Sequence, residues 1–247
     1  MDCEKITLKL CDFIKTSLQK SSLKNVVLGL SGGIDSALVA TLCKKALNEN
    51  VVALLMPSST SNEENLNDAL KLCFDLKMKH KIISIQDILN EFVKQSENID
   101  KVRIGNYAAR IRMSLLYDYS ALYKALVVGT SNKSELLLGY GTIYGDLAYG
   151  FNPLGSLYKS EVFKLAHFLK LDKVFLNKAP SADLWEGQSD EKDLGFSYAV
   201  LDEGLQALES NDELKLAQCD VKLLAFLKER IEKNAFKRQM PEIAEFD

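Results

Sequence analysis

From Leu28 to Ser36 the chain reads L-G-L-S-G-G-I-D-S. A β-branched and aliphatic run, NVVLGL from Asn25, leads in, and DSALVATLCKKALN leads out with apolar residues at helical spacing. Gly32 and Gly33 remove side chains where a strand turns into a helix. Backbone N–H groups there can converge on an anion, and the new helix adds its positive end. Ser31 and Ser36 contribute hydroxyl donors. Asp35 would repel phosphate unless it holds a divalent cation that the phosphates also touch. An ordinary tight turn with Asp35 or Ser36 as helix cap would use the same residue types. The complete Ser-Gly-Gly-x-Asp-Ser run favours nucleotide phosphates. It is not a Walker A loop, because no G-x-x-x-x-G-K-[ST] occurs.

These residues need a scaffold that presents strand ends. NVVLGL, VVALLMP, HKIISIQ and ALVVGTSN read as strands, separated by helical stretches that include the first turns up to about Gln19, SNEENLNDALKLCFDL, a long region from about Asp87 to Lys124, and GSLYKSEVFKLAHFLKL. This alternation predicts an α/β fold: Rossmann-like, doubly wound, a mostly parallel sheet of about five strands with helices on both faces. Ligands in such sheets bind outside the carboxyl ends of the strands.

The 247 residues, 47% hydrophobic and 26% charged, suit one domain over 1–247. A net charge of −3 gives no pull toward nucleic acid, and no apolar run reaches membrane-spanning length. The amphipathic start lacks the order of a secretory signal. Cys3, Cys11, Cys43, Cys73 and Cys219 form no CxxC pair, so reduced thiols in the cytoplasm are expected, not sulfur-bound metal. His80 and His167, the only histidines, have no Ser or Cys neighbour in sequence that would suggest a triad.

LGLSGGIDSALVA resembles the pyrophosphate-binding loop of the N-type ATP pyrophosphatases, whose fold is adenine nucleotide alpha hydrolase-like. Three later stretches narrow the resemblance: NYAARIRMSLLYDYS, VVGTSNKSELLLGYGTIYGD, and NPLGSLYKSEVFKLA followed by KAPSADLWEGQSDEKDLGFSY. Together they are similar to the NAD synthetase family from about Val27 to Tyr198. The resemblance implies ATP contacts at Gly29, Leu30, Ser31, Gly32, Gly33, Ile34, Asp35, Ser36, Thr130, Lys159 and Ser181. It implies Mg²⁺ at Asp35 and Glu135, catalytic roles for Asp35 and Lys159, and contacts to deamido-NAD at Arg110 and Lys237. Read without it, Glu135 is a surface acid or helix cap, Thr130 a turn residue and Ser181 an N-cap. Arg110 then pairs with an acid, Arg112 points elsewhere around the helix, and Lys159 and Lys237 are solvated.

The sequence departs from the family pattern where Ile143 stands in place of a lysine before Tyr-Gly-Asp. Gly150 replaces an aspartate further on, and Phe236 a histidine before Lys237 and Arg238. The implied reaction adenylates the nicotinate carboxylate of deamido-NAD with ATP, releases pyrophosphate, and lets an amine displace AMP. The synthetase pattern begins by Asn25, which leaves no room for an amidase domain, so ammonia is the expected nitrogen donor. A homodimer is expected, with the apolar helix around YAARIRMSLLYDYSALYKAL at an interface. The rivals are another ATP pyrophosphatase, such as a GMP synthetase ATPase subunit, and a nucleotide sensor using the same loop.

Overall fold

The computed structural model describes residues 1–181, 185 and 187–246. The chain order is α1 (Cys3–Ser21), β1 (Asn25–Gly29), α2 (Ile34–Leu47), β2 (Val51–Leu55), α3 (Glu63–Asp75), β3 (Lys79–Ile82), α4 (Gln86–Gln95), α5 (Lys101–Tyr123) and β4 (Ala125–Val128). Helices follow: α6 (Lys133–Leu138), α7 (Lys159–Phe168), α8 (Lys173–Asn177), α9 (Asp190–Leu194), α10 (Tyr198–Ser210), α11 (Glu213–Gln218) and α12 (Val221–Lys233).

The strands form one parallel sheet in the order β3-β2-β1-β4. Alternate side chains face opposite layers. Val26 and Leu28 of β1 pack with α1, α2 and α7, whereas Val27 packs with α4 and α5. The doubly wound expectation therefore holds. A third apolar cluster joins α6, α10 and α12 through Leu138, Leu201 and Leu227.

The described residues form four strands where about five were expected. The remnant of another is a single parallel bridge between Val128 and Phe151. Gly150 donates to Val127 O at 2.9 Å and Gly129 to Phe151 O at 2.8 Å. Two residues later Pro153, which has no N–H, cannot continue a ladder. The long helical region also divides: α4 stops at Gln95 and α5 restarts after Asp100, whose side chain accepts the Arg103 N–H at 2.9 Å. Strand β3 is an edge with Lys79 and Lys81 exposed, their ammonium groups lying over the rings of Tyr123 and Tyr119 at 4.4 and 5.6 Å. No helix among the described residues is long and apolar enough to cross a membrane.

From β1 the chain winds to β2 on one side, and β4 lies on the other. The carboxyl ends of β1 and β4 thus flank the switch point, where a crevice opens.

Candidate active site

Residues Leu30 to Gly33 connect β1 to α2. Gly33 is the N-cap of α2 and brings no side chain, so the serines do the local bonding. Ser36 Oγ accepts the Ser31 N–H at 3.2 Å and donates to Gly33 O at 3.1 Å, and the Gly33 N–H donates to Ser31 Oγ at 3.2 Å. Gly32 sits at φ +82, and a Cβ there would lie 2.1 Å from the Asn65 carbonyl oxygen. Its conformation and the α3 backbone over it both demand glycine.

This loop forms one wall of a cleft of about 1110 Å³. Usual single-ligand pockets run to roughly 300–1,000 Å³, so the space suits more than one small substrate. Gly29, Leu30, Ser31, Gly33, Ile34, Asp35 and Ser36 line it, and Gly32 lies buried behind them. Thr130, just past β4, Glu135 on α6, Lys159 on α7, Ser181 and Lys237 line it as well.

A charged cluster occupies the switch point. Lys159 Nζ donates to Asp35 Oδ2 and, at 3.3 Å, to Glu135 Oε1. The Lys159 side chain is 3% exposed. Burial alone would lower its pKa, but the Asp35 and Glu135 carboxylates outweigh it and hold the ammonium charged. Burial also pushes the Glu135 carboxyl up, against the pull of Lys159 and with reinforcement from Asp35. The Tyr198 ring lies 5.2 Å from the same ammonium.

Glu135 is a helix cap, one of the readings weighed for it in the sequence. Its Oε2 accepts the Asn132 N–H at 3.1 Å while Asn132 Oδ1 accepts the Glu135 N–H at 3.0 Å, a capping box at the start of α6. Its other oxygen meets Lys159. Asn132, which sequence reasoning missed, also donates from Nδ2 to Asp35 Oδ1 at 2.9 Å. An Asn three residues before Glu signals the cap, but nothing local signals the bond to Asp35.

Lys178 was missed too. Its Nζ donates to Asp68 Oδ2 at 2.6 Å, Asn65 Oδ1 at 2.7 Å and Gly32 O at 3.4 Å, tying the segment after α8 to the glycine loop. The two arginines of α5 separate. Arg110 lies outside the cleft lining and donates from Nη2 to Ile143 O at 3.3 Å, whereas Arg112 lines the cleft and donates from Nε to Met56 O at 3.0 Å. Lys237 Nζ donates to the carbonyls of Gly139 and Gly141 at 2.8 and 2.9 Å, and burial lowers its pKa. Ser181 Oγ donates to Gln188 O at 2.9 Å; of the ADLW stretch it was expected to cap, residues 182–184 lie outside the described residues, as does Glu186.

Asp35 and Glu135 converge on one ammonium, which brings two hard oxygen donors to the mouth of an anion-binding loop. Among the described residues no third acidic, histidine or cysteine side chain completes a protein cage. Two carboxylates, with the remaining positions left to phosphate oxygens and water, is the donor set that Mg²⁺ takes beside a nucleotide. The residues fit that ion. The arrangement can hold a triphosphate with its cation and stabilise negative charge on it.

The family described as NAD synthase matches residues 6–241. An NH(3)-dependent NAD(+) synthetase of Campylobacter jejuni is 68% identical over 99% of this chain and 100% of its own. The solved structure of an NH3-dependent NAD synthetase from Campylobacter jejuni, in complex with the nitrate ion, superposes with a TM-score of 0.89 at 61% identity, covering 99% of this chain and 100% of that one. An NMN synthetase structure from Francisella tularensis gives a TM-score of 0.91 at 34% identity, with both chains covered in full.

Proposed function

The chain belongs to the NAD synthase family, and on that premise we propose how its cleft converts deamido-NAD, ATP and ammonia into NAD, AMP and pyrophosphate. The chain is a ligase that forms a C–N bond. The observation that carries the site assignment is the meeting of Asp35, Glu135 and Lys159 at the mouth of the Ser31–Ser36 loop.

A carboxylate does not accept nitrogen directly, because oxide would have to leave. In the first step a nicotinate carboxylate oxygen attacks the α-phosphorus of ATP, and the bond to the pyrophosphate oxygen breaks. The loop from Gly29 to Ser36 receives the pyrophosphate end through its amides and hydroxyls. Thr130 and Ser181 face the remainder of the nucleotide. Asp35 and Glu135 hold Mg²⁺, which screens the triphosphate charge when bound. Lys159 supplies a fixed positive charge beside the reacting phosphorus, in a site where water competes little. In the second step ammonia attacks the acyl carbon, AMP departs with the C–O electrons, and a proton passes to solvent. No covalent bond to the protein is needed; the protein aligns two anions and a neutral amine.

The dinucleotide occupies the cleft beyond ATP, toward Lys237 and the loop that Arg110 braces at Ile143. Arg112 lines that same cleft and is a further candidate contact. A homodimer is supported by exposed apolar residues on α5 and α4, where Val102 is 53%, Tyr117 43% and Ile88 47% exposed. We assign residues 1–247 to one synthetase unit working in the cytoplasm without nucleic-acid or membrane partners, which the net charge of −3 supports.

The deciding assay combines the protein with ATP, Mg²⁺, ammonium and deamido-NAD and quantifies NAD and AMP. Equal amounts of both support the reading. Parallel arms replace deamido-NAD with nicotinate mononucleotide or XMP, and ammonium with glutamine. Faster turnover in any replacement arm overturns the corresponding substrate assignment.

A further inference from the structure

Lys159 is anchored at both ends, its ammonium by Asp35 and Glu135 and its backbone N–H by another helix. It is the first residue of α7, where backbone N–H groups have no intrahelical acceptor. Tyr158 before it is not one of the residue types that usually cap a helix. The acceptors come instead from two other helices. The Lys159 N–H donates to Ser134 Oγ at 3.0 Å, and the Ser160 N–H donates to Asp202 Oδ2 at 2.7 Å. The Ser134 hydroxyl in turn donates to Asp202 Oδ1. Ser134 precedes Glu135 on α6, and Asp202 belongs to α10.

Neither residue lines the cleft, and both are buried, Ser134 at 0% and Asp202 at 2% exposure. Burying a carboxylate is a costly way to satisfy one helix start, since a local serine or aspartate would do so at the surface. The positive end of α7 and hydrogen bonds from Ser134 and Ser160 offset that cost here. In return the carboxylate fixes the spacing between α6, which carries Glu135, and α7, which carries Lys159.

We propose that Asp202 is a positioning residue for the ligase reaction: through Ser134 and the first turn of α7 it sets where the Lys159 ammonium stands relative to Asp35 and Glu135. This rests on the reading of Lys159 as the cation beside the reacting phosphate. Asp202 acts through Lys159 and touches no substrate.

The test is a double-mutant cycle read as the single-turnover rate of pyrophosphate release, per folded molecule, with deamido-NAD, ATP and Mg²⁺. Asp202→Asn should slow that rate about 10–100-fold while leaving the KM for ATP within about threefold. Combined with Lys159→Met it should slow the enzyme no further than Lys159→Met alone, because the two act as a unit. A wild-type rate in Asp202→Asn, or additive losses in the double variant, overturns the proposal while leaving the role of Lys159 intact. A wild-type rate in Lys159→Met overturns the role of Lys159 and the proposal with it. Should Asp202→Asn fail to fold, Ser134→Ala removes the same link, keeps the Asp202–Ser160 bond, and enters the cycle with the same criteria.

Discussion

Asn132 donates to Asp35 at 2.9 Å across the switch point, joining the loop after β4 to the first turn of α2. The same side chain caps α6 through the Glu135 N–H. These two jobs can be separated. Asn132→Ala should cost about 1 kcal/mol through the lost cap and lower activity about 10–100-fold through misplacement of Asp35. Asn132→Asp keeps a capping oxygen but sets a buried carboxylate against that of Asp35, so it should lose activity even though the cap survives. Urea midpoints and steady-state rates for the two variants decide the matter; equal activity in Asn132→Asp and wild type would refute it.

Lys159 is the cation between Asp35 and Glu135. Lys159→Met leaves two half-enclosed carboxylates facing each other, a loss on the order of 2–4 kcal/mol. Added Mg²⁺ should recover more of the melting temperature in this variant than in wild type. A variant as stable as wild type and indifferent to Mg²⁺ would contradict the metal assignment. Asp35→Ala should abolish turnover while the fold survives, as checked by circular dichroism.

The adjacent glycines should behave differently. At Gly32, φ is +82 and a Cβ would stand 2.1 Å from the Asn65 carbonyl oxygen, so Gly32→Ala should lower stability by at least about 1–2 kcal/mol. At Gly33, φ is −87 and the nearest atom to an added Cβ is Ser31 Oγ at 3.4 Å. Gly33→Ala should therefore fold normally, with a methyl group placed in the phosphate loop. Calorimetry paired with ATP binding separates the two; equal stability of both variants would be the contrary result.

The thiols should sort by burial. Cys11, Cys43 and Cys73 are buried, while Cys3 and Cys219 are partly exposed. Desolvation raises the pKa of all three buried thiols, that of Cys73 to about 11, so little thiolate exists near pH 8. Brief alkylation of native protein followed by peptide mass spectrometry should mark Cys3 and Cys219 first. The other three should react only in denaturant.

Tyr117→Glu on the exposed side of α5 should shift sedimentation toward monomer if that side joins two copies. An unchanged sedimentation coefficient would move the interface elsewhere.

The glycine loop was legible in the sequence because its parts are contiguous: strand, glycines, hydroxyls and acid lie within one turn of chain. The parallel sheet followed from the alternation of elements. Asn132, Lys178 and Asp202 were not legible, because each acquires its role from partners far along the chain, 97 residues away for Asn132 and 146 for the Lys178–Gly32 contact. Arg110 and Arg112 sit two residues apart on one helix, and only the packing of α5 on the sheet decides which of them borders the cleft. The four strands read one by one in the sequence all form, and the fifth allowed for in the sheet was assigned to no segment; the structure shows only the Val128–Phe151 bridge beside β4.

Strand β3 carries its lysines outward, propped on tyrosine rings, and the opposite border of the sheet is closed by the Phe151 bridge. Charge on one rim and the bridge at the end of the other disfavour pairing with a foreign strand among the described residues. Growth of the sheet into a fibril or a continuous intermolecular ribbon is thereby disfavoured at both margins.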